Sequence, residues 1–170
     1  MKLYQGKIPA VAEEIIRTLA ETGDIEVSDA NEAQLDVEAV LKEYLRMDRE
    51  ISDKAKDLME QRKLPYGQFG KLKRSLADER EFGTGEEATG WIANQVLETF
   101  MHSRHVEEVF ADDATMRKKM RDILRKHMMV DEELDEEVRR RIKNLAEGTQ
   151  TWEIEYAKVM EQVKRKHGLE

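Results

Sequence analysis

The sequence pattern of the first half recurs in the second half at a distance of 83 residues. At this offset residues 40–51 align with residues 123–134, and most apolar positions of the first segment fall on apolar positions of the second. Two unrelated amphipathic helices would also give that match, but polar pairs such as Asp48 and Asp131 coincide in the same register. Because a repeat constrains the whole architecture, it is considered before any single element, and we predict an internal duplication.

Apolar periodicity predicts helices through most of the chain. A heptad pattern marks a long seam helix over residues 32–62, and the same pattern returns over residues 115–145. Nothing beyond short connectors reads as a strand. We therefore predict an all-α protein made of two similar helical lobes, residues 1–82 and 83–170, each with about three helices including one long seam helix.

The duplication predicts specific equivalences. Ile51 and Leu134 should occupy matching, buried positions on the two long helices. The short connectors at residues 25–27 and 109–110 should take corresponding places, beside each other across a pseudo-twofold axis.

Asp48 and Asp131 interrupt the apolar seams of the long helices. Such residues mark a kink, a helix break or a polar register-setter, and two carboxylates buried together can share a proton or a metal. We expect both to show the same local backbone feature. The third helices should match after a further shift of about four residues, since Phe69 aligns with Tyr156 at a wider distance.

Composition excludes several kinds of site. Residues 1–82 hold 14 basic and 18 acidic side chains and residues 83–170 hold 15 and 19, so each half contributes −4 to the net charge of −8. This balance argues against a general nucleic-acid binder. The absence of cysteine excludes disulfides, thiolate metal sites and cysteine nucleophiles. With no apolar signal core in the first residues and no membrane-spanning run, we expect a cytoplasmic protein without a membrane partner.

Several strings together resemble one known family. They are residues 6–9, 40–46, 69–73, 109–113, 130–134 and 156–160. They are similar to a bacterial family catalogued as domain of unknown function five hundred and seven, over nearly the whole chain. The resemblance implies a bacterial, all-helical protein and brings no activity, cofactor or catalytic residue.

Glu98, His102 and His105 are the metal-binding candidates. On a helical reading their spacing places them on one face, where histidine and carboxylate can hold a transition metal. The first half offers no further ligand, and a polar helix end with histidines near the negative end of the dipole is the simpler interpretation. We expect no bound cofactor.

Arg117, Arg121 and Arg125, here called the basic ridge, follow a four-residue spacing on the second long helix. Such a ridge can lie along phosphates. It can equally be a solvated face, neutralised by the acidic run from Asp131 to Glu137. Trp91, Trp152 and Tyr156 are candidates for an aromatic ligand surface, although aromatic residues at helical spacing more often belong to the core.

These patterns favour a non-catalytic helical protein that mediates macromolecular interaction, through a protein partner or self-association. The alternative is RNA or another polyanion bound by the basic ridge. A metal-dependent activity through His102 and His105 is the third hypothesis. There is no phosphate-cradling glycine loop and no nucleophile elbow.

Overall fold

The computed structural model describes residues 2–169. Its helices are α1 (Ile8–Glu21), α2 (Ala30–Arg62), α3 (Phe69–Glu79), α4 (Ala88–His102), α5 (Asp113–Met128), α6 (Val130–Arg141) and α7 (Gln150–Lys166). A small antiparallel ribbon joins β1 (Ile25–Val27) to β2 (Val106–Val109). The all-α class is confirmed. None of the helices described here has both the length and the apolar character needed to cross a bilayer.

The main core lies between α1, α2, α4 and α5. Apolar residues recur three or four positions apart on each of these helices, so each presents one apolar face to the others. The largest fully buried side chains include Ile8, Ile15, Leu19, Leu41, Ile92, Met116, Met120 and Leu124. The β ribbon lies beside this core, with Ile25 opposite Val109 and Val27 opposite Val106. The two predicted connectors therefore pair with each other.

A second, smaller core lies between α6 and α7. It consists of Tyr4, Leu134, Val138, Ile142, Trp152, Val163 and Leu169. Two of its members come from the ends of the chain: Tyr4 precedes α1, and Leu169 follows α7. The backbone N–H of Lys2 also donates to the carbonyl of Met128 at the end of α5. The terminal segments thus attach the α6–α7 hairpin to the main core.

Many features of the first half recur in the second. Asp29 caps α2 by accepting from the Glu32 N–H at 3.1 Å, and Asp112 caps α5 by accepting from the Thr115 N–H at 2.7 Å, both pairs 83 residues apart. Ile51 and Leu134 are both buried. At the same distance, buried Ala33, Val37, Leu41, Ala55 and Met59 match buried Met116, Met120, Leu124, Val138 and Ile142.

The ends of α3 and α7 correspond at a wider distance. The Phe82 N–H donates to the Ala77 carbonyl, and the Leu169 N–H donates to the Lys164 carbonyl, in the same type of helix-ending turn. These two pairs are 87 residues apart, which is the shift of four predicted for the third helices. Such correspondences are what a duplication would produce; common descent of the two halves stays a prediction.

The expectation that Asp48 and Asp131 share one backbone feature is wrong. α2 runs unbroken through Asp48, whose carboxylate pairs with Lys73 of α3 at 2.9 Å. The second long helix instead ends at Met128 and restarts at Val130, so Asp131 lies in the first turn of α6. There its carboxylate accepts a hydrogen bond from the Tyr4 hydroxyl. The positive end of the helix dipole also stabilises its negative charge. The two carboxylates have separate partners and do not form one site.

The predicted division between residues 82 and 83 lies between two similar series of helices and strands. The main core, however, extends across this division. α1 packs on both α2 and α5, and α4 packs on both α5 and α2, so each half completes the other's core. Phe82, Tyr44 and Trp91 form an aromatic cluster directly across the division. The two halves therefore interlock through a shared core.

Candidate interaction surface

The fold of α5 determines where the basic ridge lies. Its inner face carries Met116, Met120, Ile123, Leu124 and Met128, which are buried against α1 and α4. The ridge arginines occupy other positions on the helix, where Arg121 and Arg125 are exposed and Arg117 is half-buried. The neighbouring Lys118 is also exposed. α5 is thus anchored on one side and presents cations on the other.

The cations of α5 fall into two groups. Lys119 donates to Asp24 at 2.6 Å, and Lys126 donates to Glu14, so these two lysines hold α5 against the rest of the main core. Within residues 2–169, Arg121, Arg125 and Lys118 form no ion pair.

Arg117 has a neutral partner. Its Nε donates to the Asn94 Oδ1 on α4 at 2.8 Å, and no ion pair of Arg117 occurs among the described residues. The bond orients the guanidinium without neutralising its charge.

Among the described residues, the acidic run after α5 forms no ion pair with the ridge, and Asp135 and Glu137 have other partners. Asp135 pairs with Arg139 at 2.9 Å and accepts from the Tyr156 hydroxyl at 2.5 Å. The bond from Tyr156, together with that from Arg139, holds the pKa of Asp135 below its usual range. Burial and the same bond to Asp135 raise the pKa of Tyr156 to about 12. The Asp135 carboxylate therefore links α6 to α7 and stabilises the α6–α7 hairpin.

Glu137 also stabilises that hairpin. Its carboxylate lies 3.0 Å from His167 Nε2 and 3.4 Å from Lys166 Nζ, and it pairs with Arg141. These hydrogen bonds, the one with His167 foremost, lower the pKa of Glu137 to about 2. Glu137 therefore has its partners on its own helix and at the end of α7, and not on the ridge.

Three shallow cavities border the ridge. The first, of about 650 Å³, lies between the start of α4 and α5 and is lined by Arg121, Trp91 and the carboxylates of Asp78, Glu81, Glu86 and Glu87. The second, of about 410 Å³, lies along the ridge itself and includes Asp122. The third, of about 370 Å³, contains Arg125 together with Asp131 and Glu132. The surface is therefore mixed in charge: a row of arginines with acidic residues on both sides.

The metal candidates line one open cavity but do not form a metal cluster. α4 ends at His102, and His105 lies beyond it in the segment leading to β2, so the helical reading of His105 is wrong. His105 Nε2 lies 3.9 Å from Glu32 Oε2, while Ser103 Oγ donates to Asp36 at 2.6 Å. No group of three potential ligands close enough to hold a metal ion occurs in residues 2–169.

The candidate aromatic surface does not form. Trp91 packs with Tyr44 and Phe82 at the main core, whereas Trp152 stacks on Tyr156 with ring centroids 5.0 Å apart in the second core. The two tryptophans thus belong to different cores, as the ordinary preference of aromatic residues for the interior would suggest.

Sequence reasoning did not single out the turn between α2 and α3 as a candidate surface. Residues 61–77, here called the hairpin tip, contain five Lys or Arg residues and no acidic residue. Tyr66, at the middle of the turn, is 83% exposed. The run of cations around Tyr66 is visible in the sequence. It was overlooked because the segment has the composition of an ordinary turn.

Comparison with known proteins gives a family without an assigned activity. The sequence matches the family described as Protein of unknown function (DUF507) over residues 1–169. No curated protein matches the chain.

Proposed function

The chain belongs to this family of unknown function, and since membership brings no activity with it, we propose a role from the chain's own surface: a non-catalytic binding protein whose basic ridge docks an acidic segment of a partner protein. The ridge belongs to a helix that the shared core holds in place, so the arginines are presented on a rigid support. We further propose that the protein works in the bacterial cytoplasm, where a chain without cysteine needs no oxidising compartment.

One observation carries the proposal. On α5, Lys119 and Lys126 are balanced by carboxylates of the same chain, whereas Lys118, Arg121 and Arg125 lack such partners among the described residues. These three cations lie close together on one side of a helix that is held in the main core, so they mark a place where an external carboxylate can supply the opposite charge. Arginine suits this role because its planar guanidinium binds a carboxylate through two parallel hydrogen bonds.

The acidic flanks favour a protein partner over RNA. Glu86 and Glu87 on one side and Asp122 on the other would repel a continuous phosphate backbone. A folded or extended protein segment can place its carboxylates on the ridge and its own cations on the flanks. Electrostatic complementarity of this alternating kind gives specificity and rapid association more than affinity.

The test compares three forms of the full-length protein as bait in bacterial lysate. They are the wild type, the ridge variant R117E/R121E/R125E, and the control variant R49E/K54E/K56E. The control reverses three α2 cations that are exposed and also lack an ion pair within residues 2–169. It therefore matches the ridge variant in net charge.

A supporting result is one stoichiometric protein that wild type and control retain, that the ridge variant loses, and that survives ribonuclease treatment. Loss of the signal on ribonuclease treatment, with a steep salt dependence, would replace the protein partner by RNA. Equal loss in ridge and control variants, or no partner with any bait, would overturn the proposal. Metal content measured on untagged protein tests the third hypothesis separately, through His102 and His105.

A further inference from the structure

We propose that the hairpin tip, residues 61–77, is a contact site for single-stranded nucleic acid. The tip is formed by the end of α2, the turn before α3 and most of α3 itself. This inference concerns a different surface from the basic ridge and does not depend on the partner proposed there. It rests on charge, on an exposed aromatic ring and on the position of the tip in the fold.

The charge of the tip is of one sign. Of its five cations, only Lys73 has an ion pair, with Asp48 at 2.9 Å. Its other cations, which are Arg62, Lys63, Lys71 and Arg74, form no ion pair within residues 2–169 and are exposed. The nearest acidic residues along the sequence, Glu60 and Asp78, lie outside the tip. The tip itself therefore contains no carboxylate. Besides Asp48, the carboxylates of Glu86 and Glu87 approach it from another segment: they share a cavity with Lys73 and Arg74 on its α3 side, whereas Arg62, Lys63 and Lys71 do not line that cavity.

The tip also presents an aromatic platform. The ring of Tyr66 lies parallel to that of Phe69, with an interplanar angle of 7° and centroids 6.2 Å apart. Pro65 precedes Tyr66 in extended geometry and begins the turn. A supported, exposed ring is what an unpaired base stacks on, and proteins that bind single strands combine such rings with cations that follow the backbone.

The turn that carries Tyr66 lies at the far end of α2 from the aromatic cluster. Tyr44 of α2 packs on Phe82 and Trp91, and Arg62 ends the same helix 18 residues later. At 1.5 Å per residue the end of α2 and the turn after it lie roughly 27 Å from that aromatic cluster, and α3 returns from the turn to the main core. Since the Debye length is ~8 Å at physiological ionic strength, charges near that cluster are largely screened at the turn.

The second hairpin provides an internal contrast. The segment between α6 and α7, residues 142–149, carries one cation, Lys143, one anion, Glu147, and no aromatic residue. An anionic membrane is the competing occupant of the first hairpin, but the tip exposes only Leu64 and Tyr66 as large apolar side chains. That is little apolar area to insert, whereas one ring is sufficient for a base.

The experiment measures fluorescence anisotropy of labelled oligouridine and oligothymidine with the full-length protein, across a salt series. Wild type should bind single strands at low salt and an equivalent duplex more weakly. Tyr66→Ala should weaken binding by about fivefold or more, as loss of one stacked base implies. Tyr66→Phe keeps the ring and should keep the affinity. Phe110→Ala, which removes another exposed aromatic ring, should change nothing.

A charge-reversal pair tests whether the cations of the tip neutralise phosphates. K63E/K71E should weaken binding and reduce the salt slope by about 0.7 for each phosphate that the variant no longer neutralises. The control K143E/K158E makes the same change in net charge on the second hairpin, at two exposed lysines without an ion pair among the described residues, and should leave the slope unchanged.

Binding to either oligonucleotide supports the proposal, and a preference between them identifies RNA or DNA as the strand. Four outcomes would overturn it: no binding by wild type at low salt, duplex bound as tightly as single strand, Tyr66→Ala indistinguishable from wild type, or Tyr66-dependent binding to phosphatidylserine vesicles without binding to oligonucleotides.

Discussion

Leu134→Ala should loosen the α6–α7 hairpin without loosening the main core. Leu134 is 2% exposed and belongs to the small second core, which meets the rest of the chain through Tyr4, Leu169 and the α5–α6 junction. Deleting a buried leucine to alanine costs about 3 kcal/mol when the cavity does not collapse, within a range of roughly 2–5 kcal/mol. A hairpin that opens separately would then lose protection against hydrogen exchange by roughly 150-fold.

Hydrogen–deuterium exchange by mass spectrometry resolves this element by element. In Leu134→Ala, exchange should accelerate in α6 and α7 and stay at the wild-type rate in α1 and α4. Leu41→Ala is the matched control, because Leu41 is fully buried in the main core; it should accelerate exchange in α1, α2, α4 and α5. If Leu134→Ala accelerates exchange equally in α1, the two cores unfold as one unit and the reasoning fails.

Three further changes test single interactions. Tyr44→Phe removes the buried hydrogen bond from the Tyr44 hydroxyl to the Gly83 carbonyl, 3.2 Å long, and should cost about 1 kcal/mol in urea unfolding; an unchanged midpoint would show that the bond contributes nothing. Glu81 has a left-handed φ of 54° at the end of α3, so Glu81→Gly should raise the free energy of unfolding by up to about 1 kcal/mol, and a fall would contradict the assigned backbone strain. The pKa of Glu137 is lowered to about 2, with His167 as the main cause; its contribution is therefore complete above pH 4.5 and lost as pH falls towards 2, so the Tm difference between wild type and Glu137→Gln should shrink over that window.

The helices were predictable because their apolar residues recur with helical periodicity. Ile51 and Leu134 could be placed in buried seams from spacing alone, and both are buried. The break at Met129 was not predictable from the same pattern, since the apolar seam continues through it. A local apolar pattern indicates which face of a helix is buried. Whether the helix continues or breaks depends also on tertiary contacts, such as the hydrogen bond from the Tyr4 hydroxyl to Asp131.

The basic ridge was predictable in location but not in its electrostatic surroundings. The spacing of Arg117, Arg121 and Arg125 indicated one ridge, and the sequence placed an acidic run immediately after it. The closeness of this run in the sequence indicated that it could neutralise the ridge. Glu137 pairs instead with His167 at the end of α7, 30 residues further along the chain. Ion pairs between distant segments are invisible to a reading of sequence neighbours.

Site-specific photocross-linking in living cells tests the docking role of the basic ridge most directly. A photoreactive amino acid replaces Lys118, which is exposed beside the ridge and has no ion pair within residues 2–169; the same replacement at exposed Lys158 of α7 is the control. We predict one discrete protein adduct at position 118 that is absent at position 158 and disappears with R117E/R121E/R125E. Identical adducts at both positions, or none at position 118, would contradict a docking role for the ridge.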